Sequence, residues 1–309
     1  MGSDVRLMIG PPLRAKTGDP QVAAAAERAF IEDYARRLSR FREDSELSRL
    51  NRAAQTEVRA SALLRASVRA ALWAAERSDG LVDPTLLAAL ERAGYGTSLD
   101  GAAPASLERA LQLAPPRRPA AANPESPWRA IEIDEARGAI RRPPGTSIDT
   151  GGTGKGLAAD AVAHRLRGFS RYVVDCGGDL AVGGIAANLE PIHVQVQHPM
   201  TGELVGTIPV AGGGIATSGL NVRIWECADG TVAHHLLSPA TGEPVWSGVV
   251  GATALGATAL EAETLSKMAL LGGPALARRT LGARGGLIVH DDGDVEWIGV
   301  SEQLLGLAA

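Results

Sequence analysis

Apolar residues recur at helical spacing along the first third of the chain and at strand spacing along the rest. The alternating segment from Val5 to Ile9 predicts a first strand. Beyond it, apolar residues at four-residue steps, together with capping signals, predict three helices, at about 21–40, 61–78 and 84–94.

The pattern changes after a Pro-rich segment at about 113–127, which predicts a surface loop. Short apolar runs beyond it predict seven strands, at about 130–134, 171–175, 192–197, 222–225, 232–237, 287–290 and 296–300. Two helices interrupt them, at about 155–166 and 260–271. A helix-rich first part followed by strands with inserted helices predicts an α+β fold with mixed or antiparallel sheets, rather than a regular βαβ winding.

Composition excludes several classes of function. The 309 residues carry a net charge of −4 with acids and bases interspersed, so nothing predicts a nucleic-acid partner or a membrane surface. No apolar run approaches a membrane span, and the N-terminus has neither a basic nor an apolar leader segment, so we expect a cytoplasmic protein. Cys176 and Cys227 are too few for a disulfide framework and read as small buried residues.

Lysine is scarce in this chain. Of 31 basic residues only Lys16, Lys155 and Lys267 are lysines, so arginine evidently serves on the surface. A lysine retained against this bias is a candidate for a specific role.

The most informative segment is 148–156, Ile-Asp-Thr-Gly-Gly-Thr-Gly-Lys-Gly, which runs directly into a predicted helix. Glycines allow close backbone approach, and a helix N-terminus offers free N–H groups, so the segment predicts a site for an anion such as phosphate. A Walker A loop is excluded because Gly156 follows Lys155 where a hydroxyl is required. The spacing of Gly154, Gly156 and Ala159 fits a dinucleotide fingerprint, but the Arg- and Pro-rich segment at 141–147 cannot be the buried strand that must precede one. An ordinary tight turn with a solvated Lys155 remains the structural alternative.

Other segments allow both a structural and a functional interpretation. Ser45 fits a helix N-cap, and nearby Phe41 is available for stacking; Asp83, before Pro84, also fits an N-cap. The glycine pair before Asp179 fits either a turn or a close approach to a ligand.

Two pairs of neighbouring polar residues complete the set. His234 and His235 would point to opposite faces of a strand, which disfavours a shared metal. Glu263 and Lys267 share one helix face, as a surface ion pair or, given their apolar surroundings, as part of a site.

Taken in order, these segments resemble the ApbE family of FAD:protein FMN transferases. The matching positions are Met1-Gly2-Ser3; Ser45, Leu47, Ser48 and Asn51; Gly80, Asp83 and Pro84; Asp149, Gly152, Lys155, Gly156 and Asp160; Gly177-Gly178-Asp179; Thr217-Ser218-Gly219; and His235 through Gly242. Each match is weak alone, but seven in the correct order along nearly the whole chain are specific.

The resemblance implies a single ApbE-like FAD-binding domain over residues 1–309. Its implied activity is transfer of FMN from FAD to a Thr or Ser hydroxyl of an acceptor protein with release of AMP. It implies Mg²⁺ at the FAD pyrophosphate, bound by the Gly152 carbonyl and Glu263, with His235 as a catalytic residue. Lys267, one of only three lysines, falls at a phosphate-facing position of the family pattern and is the second catalytic candidate. The residues implied to contact FAD are Met1, Phe41, Leu81, Val82, Asp83, Asp149, Lys155, Gly178, Asp179, Ser218 and Leu236.

Departures from the family pattern leave two alternatives open: a non-catalytic FAD-binding protein, or a pyrophosphatase that gives FMN and AMP. The family has an Asp and, four residues on, a Thr or Ser, where this chain has Glu263 and Lys267. A charged lysine has no acceptor with which to bind a metal. Lys267 therefore either replaces the cation or pairs with Glu263 and closes the metal site. Ser238 stands where the pattern has Asp, and many relatives carry an export signal.

Overall fold

The computed structural model describes residues 4–99, 105–227 and 230–300. The strands are β1 (Val5–Ile9), β2 (Glu57–Arg59), β3 (Glu132–Asp134), β4 (Ala139–Arg141), β5 (Tyr172–Cys176), β6 (Asp179–Gly183), β7 (Ile192–Gln197), β8 (Leu204–Val210), β9 (Gly213–Gly219), β10 (Ile224–Glu226), β11 (Val232–His234), β12 (Val249–Gly256), β13 (Gly286–His290) and β14 (Val295–Ile298). The α-helices are α1 (Pro20–Leu38), α2 (Glu46–Arg52), α3 (Ala62–Arg77), α4 (Leu87–Arg92), α5 (Leu107–Leu113), α6 (Gly154–Arg165), α7 (Ile185–Leu189) and α8 (Ala259–Leu281).

A seven-stranded antiparallel sheet organises the molecule, in the order β1-β5-β6-β9-β12-β13-β14. Strands from both ends of the described chain therefore lie in one sheet. Three smaller sheets, β2-β4-β3, β7-β8 and β10-β11, lie outside it. The predicted α+β class is confirmed.

Helices α6 and α8 pack against the sheet and against each other. Side chains of α8, β9, β12 and β13 form one buried core, and side chains of α1, α3, α6 and β5 form a second. The helix ends follow from local chemistry: Asp19 accepts a hydrogen bond from the Gln21 amide at the start of α1, and Ser61 accepts one from the Leu64 amide at the start of α3.

Strands β9 and β12 were not predicted from the sequence. Both are rich in Gly and Ala and are mostly buried, with Thr217 of β9 exposed, so they lack the alternation that marks a half-exposed strand. Small residues are needed there because α8 starts directly against the sheet: a Cβ on Gly214 would lie 2.4 Å from the Thr258 backbone.

Two of the predicted helices have different limits. A helix starting at Pro84 was wrong, because Asp83 accepts hydrogen bonds from the amide and hydroxyl of Thr85 and forms a turn; α4 starts only at Leu87. The predicted helix at 260–271 continues to Leu281 beyond a break at Gly273, which has a φ of 72° and precedes Pro274. Among the described residues, no helix is both long and apolar enough to cross a membrane.

Candidate functional site

The segment 148–156 is a fixed turn that leads into α6. The side-chain amide of Asn51 donates to the Ile148 carbonyl and accepts from the Ile148 amide, both at 2.8 Å. The Asp149 amide donates to the Pro84 carbonyl at 2.8 Å, and the Asp149 carboxylate accepts from the Gly151 amide at 2.8 Å. The turn is therefore held by side chains and backbone from two other parts of the chain.

Helix α8 is bound to the start of α6 by two acidic side chains. Asp160 of α6 accepts hydrogen bonds from the amides of Ala259 and Leu260, at 2.8 and 2.9 Å, and so caps the N-terminus of α8. Glu263 of α8 accepts a hydrogen bond from the Gly156 amide at 2.9 Å. These contacts fix the register of α8 beside the turn.

Gly156 makes this close approach possible. A Cβ at this position would lie 2.7 Å from the backbone of Ala259 and Leu260, which is closer than any real Cβ contact. Only glycine therefore lets α6 and α8 meet at this distance.

Two lysine–carboxylate pairs flank the turn. Nζ of Lys155 lies 2.7 Å from Oδ2 of Asp179, and Nζ of Lys267 lies 3.0 Å from Oε1 of Glu263. Both carboxyl groups are almost completely buried, and Lys267 is only 9% exposed. Neither Asp179 oxygen has a well-oriented hydrogen bond among the described residues, so Lys155 is its main compensation.

Burial and mutual charge set the protonation of these groups. Burial raises the pKa of the Glu263 carboxyl, and the ammonium of Lys267 opposes the shift. Burial lowers the pKa of Lys155, but the carboxylates of Asp179 and Glu263 outweigh it and hold this pKa above the ordinary value. The two pairs thus lie within electrostatic reach of each other.

Asp83 and Val82 line the same turn. A Cβ on Gly152 would lie 3.8 Å from Val82 Cγ1 and 3.8 Å from Lys267 Cε, which places Gly152 between these two side chains. Asp83 is 9% exposed, and burial raises the pKa of its carboxyl group. Its Oδ2 has no hydrogen-bond partner among the described residues, so a buried acceptor is left for a donor.

Arg40 joins the turn to an aromatic group. Its Cζ lies 4.1 Å from the ring centre of Phe41 and 4.3 Å from that of Tyr95, and the Tyr95 ring stacks on Trp225 at 5.3 Å. Its Nε lies 3.7 Å from Asp149 Oδ2, and its buried Nη2 has no hydrogen-bond partner in the described part of the chain. Phe41 is 38% exposed, so the group offers a stacking surface.

The two histidines have different surroundings. His234 is fully buried: its Nε2 donates to the Val245 carbonyl at 3.1 Å, and burial lowers its pKa to about 4. His235 is partly exposed, and its Nδ1 lies 3.3 Å from the Arg223 carbonyl. Burial, then the neighbouring His234, lowers the pKa of His235 to about 3, with smaller effects from Lys267 and Lys155. His235 is therefore neutral at pH 7 and near the lysines.

Comparison with known proteins identifies the family of this chain. A profile of the ApbE family matches residues 1–289. The chain belongs to the ApbE family. The resemblance seen in the sequence is thereby confirmed.

Two relatives of the ApbE family carry the name FAD:protein FMN transferase. The protein of Salmonella typhimurium (strain LT2) is 27% identical over 234 residues, which cover 73% of this chain and 64% of the relative. The protein of Escherichia coli (strain K12) is 32% identical over 151 residues, covering 48% of this chain and 42% of the relative. The matched part of this chain therefore spans less than two thirds of the length of either relative.

Solved structures confirm the ApbE-like fold. The ApbE protein of Thermotoga maritima aligns with a TM-score of 0.77 at 23% identity, covering 98% of this chain and 96% of that one. The apo form of Pseudomonas stutzeri flavinyl transferase ApbE aligns with a TM-score of 0.73 at 22% identity, covering 99% and 98%.

Most of the residues expected at an ApbE site do come together. Around the turn lie Val82, Asp83, Asp149, Gly152, Lys155, Asp179, Glu263 and Lys267. Ser218 reaches the group indirectly, because its hydroxyl lies 2.8 Å from that of Ser266, which donates to the Glu263 carbonyl. Gly178 is exposed beside Asp179, with a φ of 90° and open space where a Cβ would be.

Of the three other expected residues, two belong to the core around α8 or pack against it, and one lies outside the described residues. Leu236 is 6% exposed and belongs to the core around α8, and Leu81 packs against the same core. Met1 lies outside the described residues.

Arg40 and Tyr95 were not predicted from the sequence. Arg40 could have been noticed as a basic residue next to the aromatic Phe41 in a turn. In a chain with many arginines, however, this pattern is not distinctive. Tyr95 could not be found, because only the fold brings it to Phe41.

Proposed function

We propose that this chain is a FAD:protein FMN transferase, which moves FMN from FAD to a Thr or Ser hydroxyl of an acceptor protein and releases AMP. The names of its relatives support this proposal. The observation that carries it is the convergence of two lysines, the partly exposed Lys155 and the buried Lys267, on a glycine turn at the start of a helix. Such a turn, at the positive end of a helix dipole and with two cations beside it, fits a diphosphate.

The positions of several side chains support the proposed FAD contacts. Lys155 and the turn at Asp149 and Gly152 bind the diphosphate, while Phe41 offers its exposed face to a flat ring. Val82 and Asp83 line the turn from the other side, and the unpartnered Oδ2 of Asp83 accepts a donor of the ligand. The remaining proposed contacts are Met1, Leu81, Gly178, Asp179, Ser218 and Leu236.

The reaction requires a positioned hydroxyl and a site for its proton. The hydroxyl oxygen of the acceptor attacks the phosphorus of the FMN half, and the bond to the AMP oxygen breaks. Lys155 and Lys267 stabilise the charge on the phosphate oxygens. His235 accepts the hydroxyl proton in this proposal: Nδ1 carries the hydrogen donated to the Arg223 carbonyl, which leaves Nε2 as the acceptor of the ring. The negative charges of a bound diphosphate raise the pKa of this ring above its value of about 3 in the free protein.

The Mg²⁺ implied by the resemblance does not fit the residues of this chain. Oε1 of Glu263 faces the Lys267 ammonium and Oε2 accepts from the Gly156 amide, so both oxygens are engaged. Lys267 offers no acceptor. Nowhere among the described residues do three His, Cys, Asp or Glu side chains form a group able to hold a metal. Gly152 and Glu263 therefore lack the remaining ligands.

Incubation with FAD and a small acceptor domain that carries an exposed Thr or Ser tests the proposal. We expect an FMN adduct on the acceptor by mass spectrometry, with an equal amount of AMP by chromatography. The Lys155→Met variant should lose both products, whereas Lys16→Met, which changes an exposed lysine, should keep them.

Absence of the adduct and of AMP would refute the transferase. FAD retained without AMP would support the binding protein, which the closed Glu263–Lys267 pair favours. FMN and AMP without an adduct would instead support the pyrophosphatase.

A further inference from the structure

We propose that the Lys267 ammonium is the resident cation of the diphosphate site, so that this chain binds FAD without a divalent metal. The inference rests on the proposed function, because it concerns the same site and ligand. It goes beyond that function by assigning the role of a metal ion to a side chain.

The first argument is the burial of Lys267. The side chain is 11% exposed and that of Glu263 1%, and their charged atoms are 3.0 Å apart. Burying a lysine ammonium costs desolvation energy, and lysine is almost never buried unless it is paired. The pair with Glu263 is therefore not a plain surface ion pair. Its position is also fixed, because Glu263 is held on its other oxygen by the Gly156 amide.

The second argument is the position of the ammonium relative to the turn. Lys267 Cε lies 3.8 Å from where a Gly152 Cβ would be, so the end of the lysine reaches the part of the turn that we expect to meet phosphate. An ammonium has three N–H donors. Glu263 is its one hydrogen-bond acceptor within the described ranges, so two donors remain for a ligand.

The third argument is the charge of the site. Glu263 and Asp179 bring two negative charges, and Lys267 and Lys155 bring two positive charges. A divalent ion next to Glu263 would have to displace the ammonium from Oε1 and lie close to its charge, so cation and lysine exclude each other. Lysine suits this role better than arginine, because its charge is a compact point rather than a planar fork.

The test compares FAD binding with and without metal. Titrations of the wild-type protein, followed by flavin fluorescence, are carried out in EDTA and in MgCl₂, and isothermal titration with MgCl₂ alone measures metal binding directly. We expect the wild-type Kd for FAD to agree within about twofold in the two buffers, with no saturable heat from MgCl₂.

The variants separate charge from packing. Lys267→Thr should bind FAD about tenfold more weakly in EDTA, from loss of one charge-assisted hydrogen bond, and should recover in MgCl₂. Lys267→Met, with a neutral side chain of similar length, should be weak in both buffers, and Lys16→Met should behave as the wild type. Thermal unfolding checks that each variant is folded.

The outcomes distinguish this inference from the proposed function. Wild-type binding that falls about tenfold in EDTA, or saturable binding of MgCl₂ by the wild type, would overturn the resident cation and leave the transferase intact. If no protein bound FAD in either buffer, the proposed function and this inference would both fail. Equal affinities for wild type and Lys267→Met would also overturn the role of the ammonium.

Discussion

Replacing Gly156 by alanine tests the contact that brings α6 and α8 together. The added Cβ would lie 2.7 Å from the backbone of Ala259 and Leu260, and ordinary contact begins at 3.4 Å, so the helices must separate by about 0.7 Å (3.4 − 2.7). The obstacle is backbone, which no side-chain rotation can move. Overpacking of this kind costs about 1–3 kcal/mol in free energy of unfolding.

The same displacement breaks a polar contact. The hydrogen bond from the Gly156 amide to Glu263 is 2.9 Å long, and a shift of 0.7 Å takes it to about 3.6 Å, beyond hydrogen-bond range. Glu263 then loses a donor in a buried position, and Lys267 moves away from Gly152. We therefore expect Gly156→Ala to weaken FAD binding as well as stability.

Gly154→Ala is the matched control for the stability part of this experiment. It lies two residues earlier in α6, and among the described residues its Cβ would meet the Tyr34 hydroxyl alone, at 3.8 Å. Alanine should be neutral there or stabilise by about 0.4–1 kcal/mol, because it restricts the unfolded chain. Urea unfolding of both variants, and FAD titration of Gly156→Ala against the wild type, are the assays. Equal stability of the two variants, or an FAD affinity of Gly156→Ala equal to that of the wild type, would refute the reasoning.

Three further predictions concern the supports of the site. Asp160→Ala removes both hydrogen bonds that cap α8 and should cost about 1–2 kcal/mol in urea unfolding, whereas Asp160→Asn should retain part of it. Asn51→Asp places a carboxylate against the Ile148 carbonyl in place of a donor, and should destabilise by about 1–3 kcal/mol, more at high pH than at low pH. The pKa of His234 is about 4 when folded and 6.5 when unfolded, so the unfolded state binds more protons between these values. The contribution of His234 to stability is complete above pH 6.5 and should fall by about 3 kcal/mol on acidification to pH 4. A His234→Gln variant whose stability depends on pH in the same way as that of the wild type would contradict this.

Sequence patterns predicted those elements of this protein that depend on local sequence alone. Alternation predicted β1, and four-residue steps predicted α1 and α3, because each has one exposed and one buried face. Strands β9 and β12 were not predicted because most of their residues are buried, which leaves no clear periodicity to detect. The predicted helix start at Pro84 was wrong because an Asp before Pro can begin a turn as well as cap a helix.

The candidate site was predictable where its residues are adjacent in sequence. The turn at 148–156 and the spacing of Glu263 and Lys267 are local patterns. The pairing of Asp160 with the start of α8, and of Arg40 with Tyr95, depends on tertiary packing, which no local pattern contains.

The cap that Asp160 places on α8 has a consequence for the order of folding. Asp160 and Leu260 are 100 residues apart in the sequence. Gly156 and Glu263, which share a hydrogen bond, are 107 residues apart. Contacts across such a loop form only after much of the intervening sheet is ordered, because closing the loop first costs chain entropy. We therefore expect Glu263 and Lys267 to reach the turn at 148–156 late in folding, after the turn itself has formed.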